Sequence, residues 1–89
     1  DVGIHSLMDI LKNKDFSKLR GWVVDNGSNE QSQIYRKIYD SLNEHLKPQS
    51  VPAIILVLAN YQYKAAFAAD SEINMMACLT EIMMEAEFK

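Results

Sequence analysis

The sequence predicts an all-α fold, a bundle of five helices, and three observations lead to that prediction. Apolar residues recur at i, i+3, i+4 and i+7 in successive segments, which is the spacing of one helix face. Capping or helix-ending residues stand between these segments. The β-branched pairs Val23-Val24 and Ile54-Ile55 fall within helical periodicity, so no strand is expected. We predict one domain over residues 1–89 with helices at 4–13, 15–26, 29–47, 51–67 and 71–88.

The first two predicted helices are short. The first has four apolar residues on one face, namely Ile4, Leu7, Met8 and Leu11. Asp15 follows it and is suited to cap the second helix, because its carboxylate accepts hydrogen bonds from backbone N–H groups that have no helical partner. Trp22 belongs to the apolar stripe of the second helix and is expected in the core. Gly27 is expected to end that helix in a left-handed conformation.

The third predicted helix has the cleanest apolar stripe. Ser28, followed three residues later by Gln31, resembles a capping box. Ile38 and Leu42 lie at the centre of the stripe and are expected in the core. Pro48 ends the helix, because proline lacks a backbone donor and disfavours helical geometry in the residue before it.

The last two predicted helices are apolar on more than one side. Ser50 is expected to cap the fourth helix, which is apolar almost all round from Val51 to Ala59 and is therefore expected to be surrounded by protein. Asp70 or Ser71 is expected to cap the fifth helix. Leu58 and Leu79 are predicted core residues. Such wide apolar faces exceed what one small bundle can cover, which indicates surface for a partner.

Composition bounds the class of protein. Of the 89 residues, 48% are hydrophobic and 24% charged, as in a globular domain, and the formal net charge is −3. That negative charge argues against a surface that binds duplex DNA. The apolar run at 53–59 is too short for a membrane span. With a single cysteine, Cys78, we expect a reducing, cytoplasmic setting. Because the chain opens with Asp1, we expect a fragment of a longer protein.

The sequence contains no pattern typical of catalysis. There is no GxxxxGK[ST] phosphate loop, no HExxH and no paired cysteines. We therefore expect no enzyme, no metal and no cofactor in this fragment. His5 and His45 are expected to be ordinary surface or cap histidines, since neither has a second ligand nearby in sequence. Cys78 is expected to be a small buried hydrophobic residue.

The residues most suited to contact a partner lie on helices four and five. Tyrosine combines a large apolar ring with a polar tip, and methionine adapts to irregular surfaces, so both types favour interfaces. The candidate subunit-interface residues are Tyr61, Tyr63, Met76, Met83 and Met84.

Short motifs at consistent positions carry a resemblance to a known family. They are Leu11 to Asp15, Pro48 to Ser50, Asn60 to Tyr63, and Ala68-Ala69 followed by Glu72. In this order and spacing, from about residue 4 to residue 89, the chain resembles the C-terminal collar domain of a sliding-clamp loader small subunit. The likeness is to the replication factor C type, in the form found in T-even-like bacteriophages.

The resemblance implies a longer subunit with an AAA+ ATPase module before this collar. Its fold would be the five-helix collar type, and five collars would pack into a closed ring with other clamp-loader subunits. ATP and Mg would belong to the missing ATPase module, as would contacts with the sliding clamp and primer-template DNA. The location implied for a phage protein is the cytoplasm of the infected host cell.

Three other interpretations remain open at this point. One is a stand-alone helical protein–protein interaction module. A second is a helix-turn-helix DNA binder, but its recognition helix would carry Asp40 and Glu44 against Arg36 and Lys37. A third is an accessory or lid domain of an enzyme. A Walker A loop in the upstream sequence would decide in favour of the clamp-loader family.

Overall fold

Five α-helices make up most of the chain, and their bounds agree with the predicted ones to within three residues. The computed structural model describes residues 3–27 and 30–89. A single 3₁₀ turn, Pro48–Ser50, precedes the fourth helix. The all-α prediction is confirmed. The helices are α1 (Ile4–Lys12), α2 (Phe16–Asp25), α3 (Gln31–His45), α4 (Val51–Ala65) and α5 (Ser71–Glu85).

The junction between α1 and α2 is a tight turn through a left-handed residue. Lys14 has φ 54°, a conformation that glycine usually supplies. The backbone N–H of Lys14 donates to Leu11 O, and that of Asp15 to Ile10 O, as in a Schellman motif. The Lys14 ammonium donates to Met83 O at 2.8 Å, which ties the turn to α5. Asp15 caps α2 as predicted, accepting from the Lys18 N–H at 3.1 Å.

The other helix ends follow the predictions only in part. Asp70 caps α5, its carboxylate accepting from two backbone N–H groups of the first turn at 3.0 and 3.1 Å. Ser28, predicted to cap α3, lies outside the described residues, and α3 begins directly after Glu30. The left-handed conformation predicted at Gly27 is wrong. Gly3 adopts it instead, at the start of α1.

The core lies between α5 and the helices packed around it. α5 packs mainly against α1, α2 and α4, while α3 packs mainly against α1 and α4. All four predicted core residues are at most 4% exposed, so that prediction is confirmed. They are Ile38, Leu42, Leu58 and Leu79.

The end of the chain is extended, not helical. α5 stops at Glu85, three residues before the predicted end at residue 88, and the remaining residues are not helical. We call residues 86–89 the C-terminal strap. It runs beside the end of α3: Lys47 N donates to Glu87 O, and Lys89 N to His45 O, both at 2.9 Å. Phe88 pairs with Leu46 across this short bridge. Because these bonds join positions about 40 residues apart, helical periodicity carries no sign of them.

Ser50 secures the C-terminal strap and does not cap α4 as predicted. Its hydroxyl makes no capping bond to α4 and instead accepts from Glu87 N at 2.9 Å. The Ser50 side chain is buried, so this contact is shielded from water. A shielded hydrogen bond at one end of the strap holds the strap against the connection between α3 and α4.

Replacing Ser50 by alanine is expected to lower the free energy of unfolding by about 1 kcal/mol, since one buried acceptor is lost. Urea unfolding measures this change, and amide hydrogen exchange at Glu87 should become faster. Ser17→Ala on the exposed side of α2 is the matched control and should change stability by less than about 0.5 kcal/mol. Wild-type stability together with unchanged exchange at Glu87 would contradict the role assigned to Ser50.

Candidate interaction surface

One side of α4 and the turn that follows it present large apolar side chains to solvent. Leu56, Tyr63 and Phe67 are 71%, 71% and 73% exposed. Leu56 and Tyr63 are seven residues apart, which places them in one line along α4, and Phe67 lies in the turn just after the helix ends at Ala65. The rings of Tyr63 and Phe67 contact each other, with their centroids 5.3 Å apart. We call these three residues the α4 outer face.

This exposure corrects the expectation that α4 would be surrounded by protein. The opposite side of the helix is buried through Ile54, Val57 and Leu58. α3 and α5 pack against α4, but none of the described elements covers the side that carries Leu56. Two sides of this apolar helix pack against α3 and α5, and the third side is exposed to solvent.

A second apolar strip runs along α5. Ile73 is 67% exposed and Met84 is 70% exposed, with the exposed Ala77 between them. Their spacing of four and seven residues again gives one line along a helix. We call these three residues the α5 outer face. The molecule therefore has two distinct apolar strips on neighbouring helices.

The five predicted interface residues are divided between surface and interior. Tyr63 and Met84 are exposed, on the α4 and α5 outer faces respectively. Tyr61 and Met76 are half-buried and pack against the core. Met83 is 3% exposed and belongs to the core itself. Because Met83 precedes Met84 by one residue, its side chain points about 100° away around the helix, towards α5's buried side.

Hydrogen bonds among polar groups join α4 to α5 beside these strips. The Tyr61 hydroxyl donates to Glu81 Oε1 at 2.8 Å, and this hydrogen bond raises the pKa of Tyr61. The pKa of Glu85 is also raised, chiefly by its hydrogen bond to Glu81. The Lys64 ammonium lies 5.0 Å from the centre of the Tyr61 ring. Tyr61 therefore holds the two helices together, and its polar tip is already engaged within the chain.

Four residues of these faces are not among the interface residues predicted from sequence: Leu56, Phe67, Ile73 and Ala77. A signal for two of them was present, since Leu56 and Phe67 stand seven residues before and four after Tyr63. Ile73 similarly precedes Met84 by eleven residues, three helical turns. Helical spacing shows which residues lie on the same side of a helix. Whether that side is buried or exposed depends on how α3 and α5 pack against it.

Two histidines meet where the start of α1 approaches the end of α3. Glu44 Oε2 lies 3.8 Å from His5 Nδ1 and 3.0 Å from His45 Nε2. The two imidazole rings are 5.4 Å apart, edge to face. The sequence gives no sign of this pairing, because His5 and His45 are 40 positions apart in the chain. Packing of α1 against α3 brings them together.

Cys78 has the buried role that the sequence predicts. It is fully buried on α5, and burial together with the nearby charge of Glu81 raises the pKa of its thiol to about 12. At neutral pH the thiol is therefore protonated and a poor nucleophile.

Comparisons with known proteins do not assign this chain to a family. Neither the models of known protein families nor the sequences of curated proteins match it. No helix in residues 3–27 or 30–89 combines the length and apolar content needed to cross a membrane. The geometry of the surface and the motifs of the sequence are thus the basis for a functional proposal.

Proposed function

We propose that this chain is an assembly domain, the C-terminal collar of a sliding-clamp loader small subunit. In this proposal the domain packs against the collars of other clamp-loader subunits and thereby holds the attached ATPase modules in a pentameric ring. The single observation that carries the proposal is the α4 outer face. The resemblance of the motifs at residues 11–15, 48–50 and 60–63 supports the choice of family.

The α4 outer face has the properties of a surface that gains from being covered. Full burial of a large apolar side chain is worth about 1.5–3 kcal/mol. Leu56, Tyr63 and Phe67 are all more than two-thirds exposed, and the rings of Tyr63 and Phe67 contact each other, so a single flat partner surface would bury all three. Tyrosine and phenylalanine are also rigid, so little side-chain entropy is lost when they are ordered in a contact.

Two separate apolar strips suit assembly into a ring. In a cyclic array each subunit meets its two neighbours through different surfaces, a heterologous contact. The α4 outer face and the α5 outer face are such a pair, because they lie on adjacent helices and share no residue. We therefore assign one strip to each neighbour. Of the residues predicted from sequence, Tyr63 and Met84 remain in this proposal.

The remaining partners belong to the proposed upstream module. That module would bind ATP and Mg and would contact the sliding clamp and primer-template DNA. The collar itself would act in the cytoplasm, in an infected host cell if the protein is of phage origin. Its contribution is geometric, since it keeps the modules at fixed relative positions while they act.

A stand-alone helical interaction module is the second candidate, and the same exposed strips favour it. The upstream sequence distinguishes the two, because only the collar proposal requires a Walker A loop there. A helix-turn-helix role has less support. On α3, Arg36 is paired with Asp40 at 3.2 Å, which offsets the positive charge that contact with phosphates would need.

The proposal is tested by placing charges on the strips in the full-length subunit mixed with its clamp-loader partners. Leu56→Glu, Tyr63→Glu and Met84→Glu are each expected to weaken assembly at least about tenfold, because a carboxylate would be desolvated at the contact. Light scattering coupled to size-exclusion chromatography measures the mass of the assembly. Circular dichroism checks that each variant remains folded.

Val24→Glu is the matched control for these variants. Val24 is 57% exposed on α2, outside both strips, so the same charge there should leave assembly unchanged. Met76→Glu is less informative, since Met76 packs against the core and the change would also disturb folding. Normal rings with all three strip variants would disprove the assignment of these surfaces.

A further inference from the structure

The chemistry at the α1–α3 contact is that of a cation site. His5 is in the first turn of α1, while Glu44 and His45 are in the last turn of α3. Each of the three side chains offers one ligand atom, and these atoms all lie within 4.8 Å of one another. In the described part of the chain, this is the one group of three such residues placed so closely.

The buried nitrogen of His45 is left without a hydrogen bond although it faces a carboxylate. His45 Nε2 is shielded from solvent and has no hydrogen-bond partner of acceptable geometry among the described residues, although Glu44 Oε2 lies 3.0 Å away. A carboxylate oxygen has no hydrogen to donate, so in the tautomer with its proton on Nδ1 a lone pair on Nε2 faces another lone pair. Either a proton or a metal ion between these atoms removes that repulsion.

We propose that His5, Glu44 and His45 bind a divalent transition-metal ion, for which zinc is the best fit. Two imidazole nitrogens and one carboxylate oxygen are ligands that zinc accepts, whereas magnesium and calcium prefer oxygen alone. With metal–ligand distances of about 2.0–2.1 Å, tetrahedral geometry places ligand atoms about 3.3–3.4 Å apart. The separations from Glu44 Oε2, 3.0 Å to His45 Nε2 and 3.8 Å to His5 Nδ1, lie on either side of that value, and all three ligand atoms are within 4.8 Å of one another.

The surroundings allow the small adjustment that is needed. The His5 side chain is 81% exposed, so its ring can turn towards Glu44 without displacing neighbouring groups. His45 is held more firmly, since its carbonyl accepts from Lys89 N of the C-terminal strap. With three protein ligands, a tetrahedral ion keeps one position for water. Zinc binding would fasten the start of α1 to the end of α3 and so stabilise the folded chain. This inference is independent of the proposed assembly role.

The test is a titration of the 89-residue chain with zinc chloride at neutral pH, followed by calorimetry and thermal unfolding. One ion per chain is expected. At zinc concentrations about 100-fold above Kd, the melting temperature should rise by roughly 10–20 °C. Magnesium chloride at the same concentration should leave it unchanged.

Variants locate the site. His5→Ala and Glu44→Gln should each weaken zinc binding at least about tenfold, because each removes a ligand. Both positions are exposed, so neither change should impair folding. Asp25→Asn, which removes the same charge at the end of α2, is the matched control and should bind zinc as wild type does.

Three results would overturn the inference. One is the absence of binding at millimolar zinc. Another is equal affinity in wild type and His5→Ala, which would place the ion elsewhere. The last is a fall in melting temperature on adding zinc, which would show preferential binding to the unfolded chain, where Cys78 becomes accessible.

Discussion

Replacing Leu79 by alanine is expected to lower the free energy of unfolding by about 2–5 kcal/mol. Leu79 is fully buried on α5, the helix that contacts α1, α2 and α4, so the cavity left behind would be bordered by several elements. The surrounding helices are fixed by their own packing and cannot collapse fully into that space. For a domain of this size the loss is a large part of the total stability of about 5–15 kcal/mol.

Chemical unfolding of the variant beside Leu42→Ala and Leu58→Ala measures this effect. Both of those residues are also buried, and each change should fall in the same range of about 2–5 kcal/mol. Leu56→Ala is the matched control, since it deletes the same atoms from a side chain that is 71% exposed. Its effect should be less than about 0.5 kcal/mol. Equal effects at Leu79 and Leu56 would show that the buried side of the bundle is wrongly assigned.

Asn74→Ala is expected to cost about 1–3 kcal/mol, the penalty for leaving buried polar groups without partners. The Asn74 side-chain amide donates to the Tyr35 hydroxyl at 3.0 Å and to the Tyr61 carbonyl at 3.2 Å. It thereby links α5 to both α3 and α4. Tyr35 is only 2% exposed, so water cannot readily replace the lost donor.

A double-mutant cycle with Tyr35→Phe isolates this contact. Tyr35→Phe alone should cost about 0.5–1.5 kcal/mol, and the double variant should lose less than the sum of the two single losses. Strictly additive losses would mean that the two side chains do not depend on each other. Gln62→Ala on the exposed side of α4 is a control for removing an amide, with an expected change below about 0.5 kcal/mol.

Unfolding at alkaline pH tests the burial of Tyr35 independently. Burial raises the pKa of Tyr35 from 10.0 to about 12, so the folded chain retains this proton when the unfolded chain has lost it. The contribution of Tyr35 to stability is therefore complete below pH 10 and is lost as the pH rises towards 12. Tyr35→Phe should remove this part of the alkaline decline.

The sequence by itself determined the secondary structure and the centre of the core. Apolar residues at helical spacing, together with local caps such as Asp15 and Asp70, depend only on neighbours within one or two turns. The same spacing predicted that Ile38 and Leu79 would be buried. It also predicted correctly that α4 and α5 carry more apolar surface than one bundle covers.

Only the tertiary structure decided which apolar line of α4 is buried and which contacts join distant residues. A helix that is apolar all round contains no internal sign that Ile54 faces the core and Leu56 faces solvent; the positions of α3 and α5 settle that. The bond from Glu87 to Ser50 and the meeting of His5 with His45 likewise join residues about 40 positions apart. Periodicity reports on neighbours along one helix, whereas these contacts are set by how separate helices pack.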